Sequence, residues 1–465
     1  MSMLEPFVRS FAGVAGAACL VACCLASSTA RADSRYPNAT QLVVMPGRSA
    51  TLAVRTTFGV LLSHDAGASF QWVCGAAIGY GGLTEDPKLA LTASGSLLVA
   101  TFDGLSVSPD AGCGWMHAES PLAGQVVIDV AVRPDDPHTA IALTSNFAGV
   151  ASGSTSTNRY DSRLAISTDD GAHWSPYGQP IDAAVLTSTI RLSKSDPHAV
   201  YVSGVRDKGD VRSAVLLVSH SDGLVWNEYA VPLDPAVETL AVVDAVDPNR
   251  PGRVYMRTGR SPLTPQSPAQ TAPSRLLVTN DDGEHFDVAL TAKGPLLGAA
   301  LAPDGSRIYV GGWLDGLLAA STDDLVFSQR ASVPIQCLAV DGGTLYACVH
   351  GGADFMLGAS TDDGATFAPL LRGFCDVRGA MECSAKASGA VCSGSWSGVR
   401  SSLLGCIEAD GGGPLGTATT DPPRPRDMPA PASHGCTQST PPVGSSGAIL
   451  LVGLGAIARR RRQRR

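Results

Sequence analysis

The sequence predicts an all-β fold: a seven-bladed β-propeller of four-stranded antiparallel blades, followed by a small disulfide-stapled C-terminal cap. Three observations predict it. One short pattern (Ser/Thr, any, Asp, any, Gly, any, any, aromatic) recurs seven times. Its copies stand roughly 40–60 residues apart, room for four strands and their turns. Each copy follows an apolar run of strand length, such as Gly59-Val60-Leu61-Leu62 or Arg275-Leu276-Leu277-Val278, which reads as a buried strand.

The clean copies are Ser63–Phe70, Ser108–Trp115, Ser167–Trp174, Thr279–Phe286 and Ser360–Phe367. Two are worn. Ser219–Trp226 carries Ser221 where the Asp belongs, and Ser321–Phe327 lacks the Gly and is one residue short. The Asp carboxylate is suited to accept backbone amides of its own loop. The Gly supplies a positive φ, and the aromatic opens the next strand and packs between sheets. Asp65, Gly67, Asp110, Gly112, Asp169, Gly171, Asp281, Gly283, Asp323, Asp362 and Gly364 are therefore expected to hold turns, not to catalyse. In the last unit the strands are expected at Gln336–Val340, Thr344–Val349, Phe355–Ala359 and Phe367–Leu371. Asp136-Pro137, Asp196-Pro197 and Asp247-Pro248 mark the first hairpins of three units.

The 465 residues contain 51 Gly and 31 Pro, which suits many short strands and tight turns. The net charge of −8 hides an uneven distribution. Without Arg9, Arg31, Glu5 and the six terminal arginines, 26 basic residues face 41 acidic ones. So acidic a body offers no cationic face for nucleic acid. No His-Glu-x-x-His, His-x-His or Cys-x-x-Cys occurs, so the sequence marks no metal site, and no cofactor is expected.

Residues 1–32 read as a secretory signal: Arg9, an apolar stretch from Phe11 to Ala26, and Ala30-Arg31-Ala32 as a cleavage site, with the mature chain starting at Asp33. Leu20-Val21-Ala22-Cys23 also fits a lipobox, which would make Cys23 the processed N-terminus. Export implies an oxidising compartment and disulfides. Cys375, Cys383, Cys392 and Cys406 cluster after the last unit, and two bridges among them would staple a cap over 373–407; spacing leaves the connectivity open. Cys337 with Cys348, and Cys74 with Cys113, are the remaining candidate pairs. The propeller occupies 33–372. Residues 408–434 are Gly/Pro/Thr-rich and read as a disordered linker. The tail, 435–465, holds Gly435-Cys436, the apolar run Ala448–Ala458 and an arginine cluster.

The seven copies of Ser-x-Asp-x-Gly-x-x-Trp/Phe resemble the Asp-box (BNR) repeats of sialidases, sortilin-type receptors, xyloglucanase-type hydrolases and photosystem II assembly propellers. The tail resembles the myxobacterial C-terminal sorting signal (MYXO-CTERM). That second resemblance implies cleavage near Cys436, a lipid on that cysteine and a cell-surface or outer-membrane location. A tail that stays attached as a simple anchor is the alternative. The first resemblance implies that the boxes lie on one face and that ligands bind on the other, in the loops between second and third strands and between blades. Three such loops are long here: Asn146–Ser162, Arg206–Arg212 and Arg257–Ser274. Tyr160, Arg206, Lys208, Arg212, Trp313 and His350 are the ligand-binding candidates.

A sialidase would need an arginine triad opened by Arg-Ile-Pro, a Tyr–Glu pair and an acid Asp. Arg55 is followed by Thr56-Thr57, and nothing marks three of Arg133, Arg191, Arg257 and Arg307 as a cluster. A xyloglucanase-type enzyme normally pairs two propellers, and this chain has one. The sequence therefore predicts a monomeric, exported propeller that binds an extracellular protein or glycan without catalysis, touching a membrane only through its terminal anchor. The alternative is a glycan hydrolase using channel carboxylates. Two facing acids about 5–10 Å apart in the channel would favour the hydrolase; a channel of small and apolar residues would favour binding.

Overall fold

A computed structural model describes residues 37–81, 85–151, 157–209, 212–260, 272–350, 353–383 and 387–406. The signal segment, the linker and the tail with Cys436 lie outside these residues. The chain forms seven four-stranded antiparallel sheets, each built from consecutive strands. The blades span 39–73, 88–117, 127–181, 185–230, 240–291, 296–331 and 335–371. The expected β-propeller is therefore present, and the last blade follows the expected strands: Ile335–Asp341, Thr344–Val349, Leu357–Ser360 and Ala368–Leu371.

The box geometry shows why Ser, Asp and Gly recur together. In blade 1 Ser63 Oγ donates to Asp65 at 2.8 Å and accepts the Gly67 amide at 2.8 Å. Asp65 Oδ1 accepts the Ser69 amide at 2.9 Å. Ala66 and Gly67 both take positive φ, 58° and 87°. The Gly has a second duty that its local conformation does not reveal. A Cβ on Gly112 would lie 2.2 Å from Leu62 of blade 1, and one on Gly364 would lie 2.3 Å from Leu317 of blade 6. The glycine thus lets the preceding blade approach.

Blade 6 departs from the expected box. Asp323 is exposed and directed at Arg250 of blade 5. Asp324 accepts the Val326 amide instead, and Leu325 takes φ 53°. The missing residue shifts the turn, so the neighbouring aspartate closes it.

The ring closes without exchanging a strand between its first and last blades. After blade 7 the chain crosses to the outer strand of blade 1 (Gln71–Val73) and lies beside it. Arg378 donates its amide to Phe70, Trp72 donates to Gly379, and Met381 donates to Trp72. Phe374 packs edge-on to Phe58 at 5.0 Å, and Trp396 of the cap helix (Ala387–Gly398) meets Trp72 at 5.4 Å. Two disulfide expectations are corrected here. Cys74 bonds Cys392 and Cys113 bonds Cys383, so neither pairs with the other. Only Cys375–Cys406 lies within the cap. Cys337–Cys348 bridges the first hairpin of blade 7 as expected. The cap is a strap across blades 1 and 2, tied to them by two bridges and to itself by one. Four disulfides belong to an oxidising, non-cytoplasmic compartment.

Candidate functional site

Turns between inner and second strands share one face with the boxes; turns between second and third strands lie on the other, the loop face. The region Asn146–Ser162, expected as a long loop, is largely paired strand. The second and third strands of blade 3 run Ala140–Ala151 and Thr157–Ser167, with Asn146 opposite Asp161 and Phe147 opposite Tyr160. Val, Phe, Thr and Tyr on both sides favour continued pairing, so the hairpin rises from the face as a ribbon. The Arg206–Arg212 region is also shorter than a loop. Arg206 lies within the second strand of blade 4 (Val200–Asp207), one residue before its end, and Arg212 opens the third.

The six candidates form two groups. Tyr160, Arg206, Lys208 and Arg212 gather at blades 3 and 4. Asn158 donates its amide to Asp207 at 3.2 Å, tying the ribbon to blade 4. Burial and then the charge of Asp207 raise the Tyr160 phenol above its ordinary value. Arg206 is committed: it donates to Glu228 and, at 3.0 Å, to Asp182. Lys208 and Arg212 are exposed. Trp313 and His350 form the second group, at blades 6 and 7. Their rings lie 5.1 Å apart, and Trp313 Nε1 donates to Gln336 at 2.7 Å. Sequence spacing placed both groups on one face but could not show their separation.

Five of the eleven exposed large apolar side chains lie on the same face, while Leu224, Val225 and Val326 lie in box turns on the other. Phe102 and Leu314 sit in turns between second and third strands of blades 2 and 6; Phe147 and Val150 lie on the blade 3 ribbon, and Leu186 near the start of the inner strand of blade 4.

The channel carries chemistry that the candidate residues left out. Gln41, Lys88 and Asp129 occupy one register position on the inner strands of blades 1, 2 and 3, three residues before the turn end. Gln41 joins blades 1 and 2 through Leu89, donating to its carbonyl at 3.0 Å and accepting its amide at 3.1 Å. Asp129 is buried and accepts from the Ile190 amide at 3.0 Å and from Arg191 at 3.1 Å. Asp244 is gripped by Arg257 at 2.6 and 2.9 Å. The channel is thus neither a lining of small apolar groups nor a pair of unengaged acids; each acid is held by an arginine. A lone charge inside an apolar inner strand, as in Val127-Ile128-Asp129-Val130 or Val242-Val243-Asp244-Ala245, was the available signal. Asp281, Glu284 and His285 place ligand atoms within 4.8 Å of one another, the one such grouping among the described residues. All three are exposed, and Asp281 and His285 already bond each other in the box of blade 5.

No protein-family model and no curated protein matches the sequence. Solved structures do. The chain is similar to an ancestral GH74 enzyme (TM-score 0.48, 16% identity), the match covering 71% of this chain and 44% of that one. It is similar to YCF48 from Cyanidioschyzon merolae (TM-score 0.42, 10% identity; 67% and 92% covered). It is also similar to the Hadza microbial sialidase Hz136 (TM-score 0.39, 16% identity; 64% and 70% covered). The chain thus spans under half the length of the GH74 enzyme. At these identities the likeness is one of fold, a propeller shared by hydrolases and by proteins of other kinds.

Proposed function

We propose that this protein is an exported, surface-anchored propeller whose loop face binds a protein partner without catalysis. The observation that carries the reading is the set of exposed apolar side chains there: Phe102, Phe147, Val150, Leu186 and Leu314. Exposed apolar groups on the loops and ribbon of a rigid scaffold favour a protein surface as ligand. Aliphatic members such as Val150, Leu186 and Leu314 suit a protein better than a sugar, whose binding leans on flat aromatic faces. Lys208 and Arg212 add exposed positive charge beside the ribbon. The signal segment and the Cys436 tail support location at the cell surface; a mature chain starting at Asp33 with a lipid on Cys436, read by mass spectrometry, is the expected product.

The test is surface cross-linking of full-length protein on intact cells, with the captured species identified and then tested as a purified pair. Phe147→Ser combined with Leu314→Ser is expected to abolish capture while the melting temperature stays unchanged. The set Arg206→Ala, Lys208→Ala and Trp313→Ala reports the polar part of the face. Undiminished capture by the apolar double variant sinks the reading. Hydrolysis of glycans by wild type that is lost in Asp129→Asn or Asp244→Asn would instead establish the alternative enzyme.

A further inference from the structure

The joint between blades 4 and 5 holds a histidine with a carboxylate on each side of its ring. His220, in the box turn of blade 4, has Nδ1 at 2.7 Å from Asp196 of the same blade and Nε2 at 3.1 Å from Asp282 in the box of blade 5. Asp196 lies in the turn after the inner strand of blade 4 (Val185–Leu192), with His198 beside it. Asp282 also accepts the Tyr201 hydroxyl at 2.7 Å, and the Tyr201 ring stands edge-on to the imidazole at 6.4 Å.

An ionised carboxylate only accepts, and a neutral imidazole carries one N–H. Neutral His220 can therefore donate to one of its two carboxylates and must turn a lone pair toward the other. The imidazolium alone donates to both. The pairs of His138, His173, His198 and His285 with aspartates use Nδ1, so one N–H satisfies each of them. The next charged joints use arginine, which stays protonated: Arg250 with Asp323 between blades 5 and 6, and Arg307 and Arg330 with Asp363 between blades 6 and 7. We infer that His220 is a proton-gated clasp: protonated, it bridges Asp196 and Asp282; on losing the Nε2 proton it keeps Asp196 and releases Asp282. The longer contact is the one given up, and the partly exposed ring passes its proton to solvent. The joint then keeps its Tyr201 latch and loses its ionic one. The clasp sits on the box face and stands whether or not a partner binds the loop face.

Burial of the ring opposes its charge, but hydrogen bonds and charge from Asp196 and Asp282 outweigh burial and raise its pKa above the ordinary 6.5. The clasp is therefore closed below that value and opens as pH rises through the folded one. Nitrogen NMR of the full chain labelled in its histidine rings reads the proton positions, with His220 assigned by the signals missing in His220→Phe. Both nitrogens are expected to be protonated at low pH, and the neutral ring to keep its proton on Nδ1. Asp282→Asn is expected to lower the titration midpoint. Hydrogen exchange of Thr279–Phe286, corrected for the chemical effect of pH, is expected to quicken about two-fold from pH 6 to pH 8, since a partly exposed ion pair is worth little. His220→Phe, which keeps a ring without nitrogens, is expected to show the faster exchange at both pH values. Asp282→Asn is expected to lose the pH dependence, because its amide can donate to the bare Nε2. The inference is overturned if the neutral ring carries its proton on Nε2, if Asp282→Asn leaves the midpoint unchanged, or if wild-type exchange is the same at both pH values.

Discussion

Blades 1 and 2 and blades 3 to 7 are joined to their neighbours by different means, and one position in the box tells them apart. The residue after the box aspartate takes φ between 57° and 63° in six blades. In blades 1 and 2 it is alanine, Ala66 and Ala111; in blades 3, 4, 5 and 7 it is a second aspartate, Asp170, Asp222, Asp282 and Asp363. Three of those aspartates latch onto the preceding blade. Tyr177 of blade 3 donates to Asp222 at 2.5 Å, Tyr201 of blade 4 to Asp282 at 2.7 Å, and Tyr309 of blade 6 to Asp363 at 2.5 Å. Blades 1 and 2 carry Cys74 and Cys113 instead, bonded to residues 318 and 270 positions away. Interior seams join blades that are already consecutive along the chain, so little loop entropy is lost in forming them. The closing seam joins the two ends of the propeller, where that entropy is greatest and a covalent bond gains most.

The largest effect that would test this contrast is removal of the closing bond. Cys74→Ser with Cys392→Ser is expected to lower stability by about 4 kcal/mol, the range for long-loop disulfides. Cys337→Ser with Cys348→Ser opens a bridge of sequence separation 11 and is expected to cost about 2–3 kcal/mol. Denaturant midpoints on the two variants measure the difference. Equal losses would mean that closure is not where the covalent bonds matter most.

An interior latch comes next. Asp282→Ala leaves the turn conformation accessible, as Ala66 and Ala111 show at φ 58° and 59°. It removes the carboxylate acceptor of the Tyr201 hydroxyl, an expected loss of about 1–2 kcal/mol. No measurable loss would reduce the second aspartate to a turn residue.

Much of the ring was legible in the sequence because the boxes are local: Ser63, Asp65 and Gly67 solve their hydrogen bonds within seven residues. Closure was not legible, because Cys74 finds Cys392 only once the ring brings the cap to blade 1. The aspartate at this position was visible as Asp-Asp in three of its four copies and as Ser-Asp in blade 4, yet its partner lies on another blade, at no fixed spacing. Candidate residues fared similarly. Residue type and loop position placed Tyr160 and Trp313 on one face, but Arg206 proved bound to Glu228 and Asp182.

A smaller effect comes from pH at the seam between blades 4 and 5. His220 bonds Asp196 of its own blade at 2.7 Å and Asp282 of the next at 3.1 Å. Desolvation opposes the charged ring, but hydrogen bonds and charge from Asp196 and Asp282 outweigh it and raise its pKa. A raised folded-state value means stability that is fully present below the ordinary histidine value, near 6.5, and lost as pH rises through the folded value. The ring is partly exposed, so the contribution is discounted to a few tenths of a kcal/mol. His220→Gln is expected to flatten the decline in melting temperature between pH 6 and pH 8; an unchanged slope would assign that decline elsewhere.

A last comparison isolates the worn box. Tyr255 stands in blade 5 where Tyr201 stands in blade 4 and Tyr309 in blade 6, each on the second strand opposite the third. Tyr201 and Tyr309 reach an aspartate in the next box, but the box after Tyr255 is the shortened one of blade 6, with Leu325 at its positive-φ position. The Tyr255 ring is fully buried and its hydroxyl has no partner among the described residues. An unmade hydrogen bond contributes nothing, and its buried oxygen costs desolvation. Tyr255→Phe is therefore expected to be neutral or to stabilise by up to about 1 kcal/mol, whereas Tyr201→Phe is expected to cost about 1 kcal/mol. Leu325→Asp sharpens the comparison, since aspartate tolerates the left-handed conformation better than leucine and offers an acceptor. In that background Tyr255→Phe is expected to become costly. A double-mutant cycle between positions 255 and 325 reads the coupling directly, and zero coupling would show that the second aspartate alone does not make the latch.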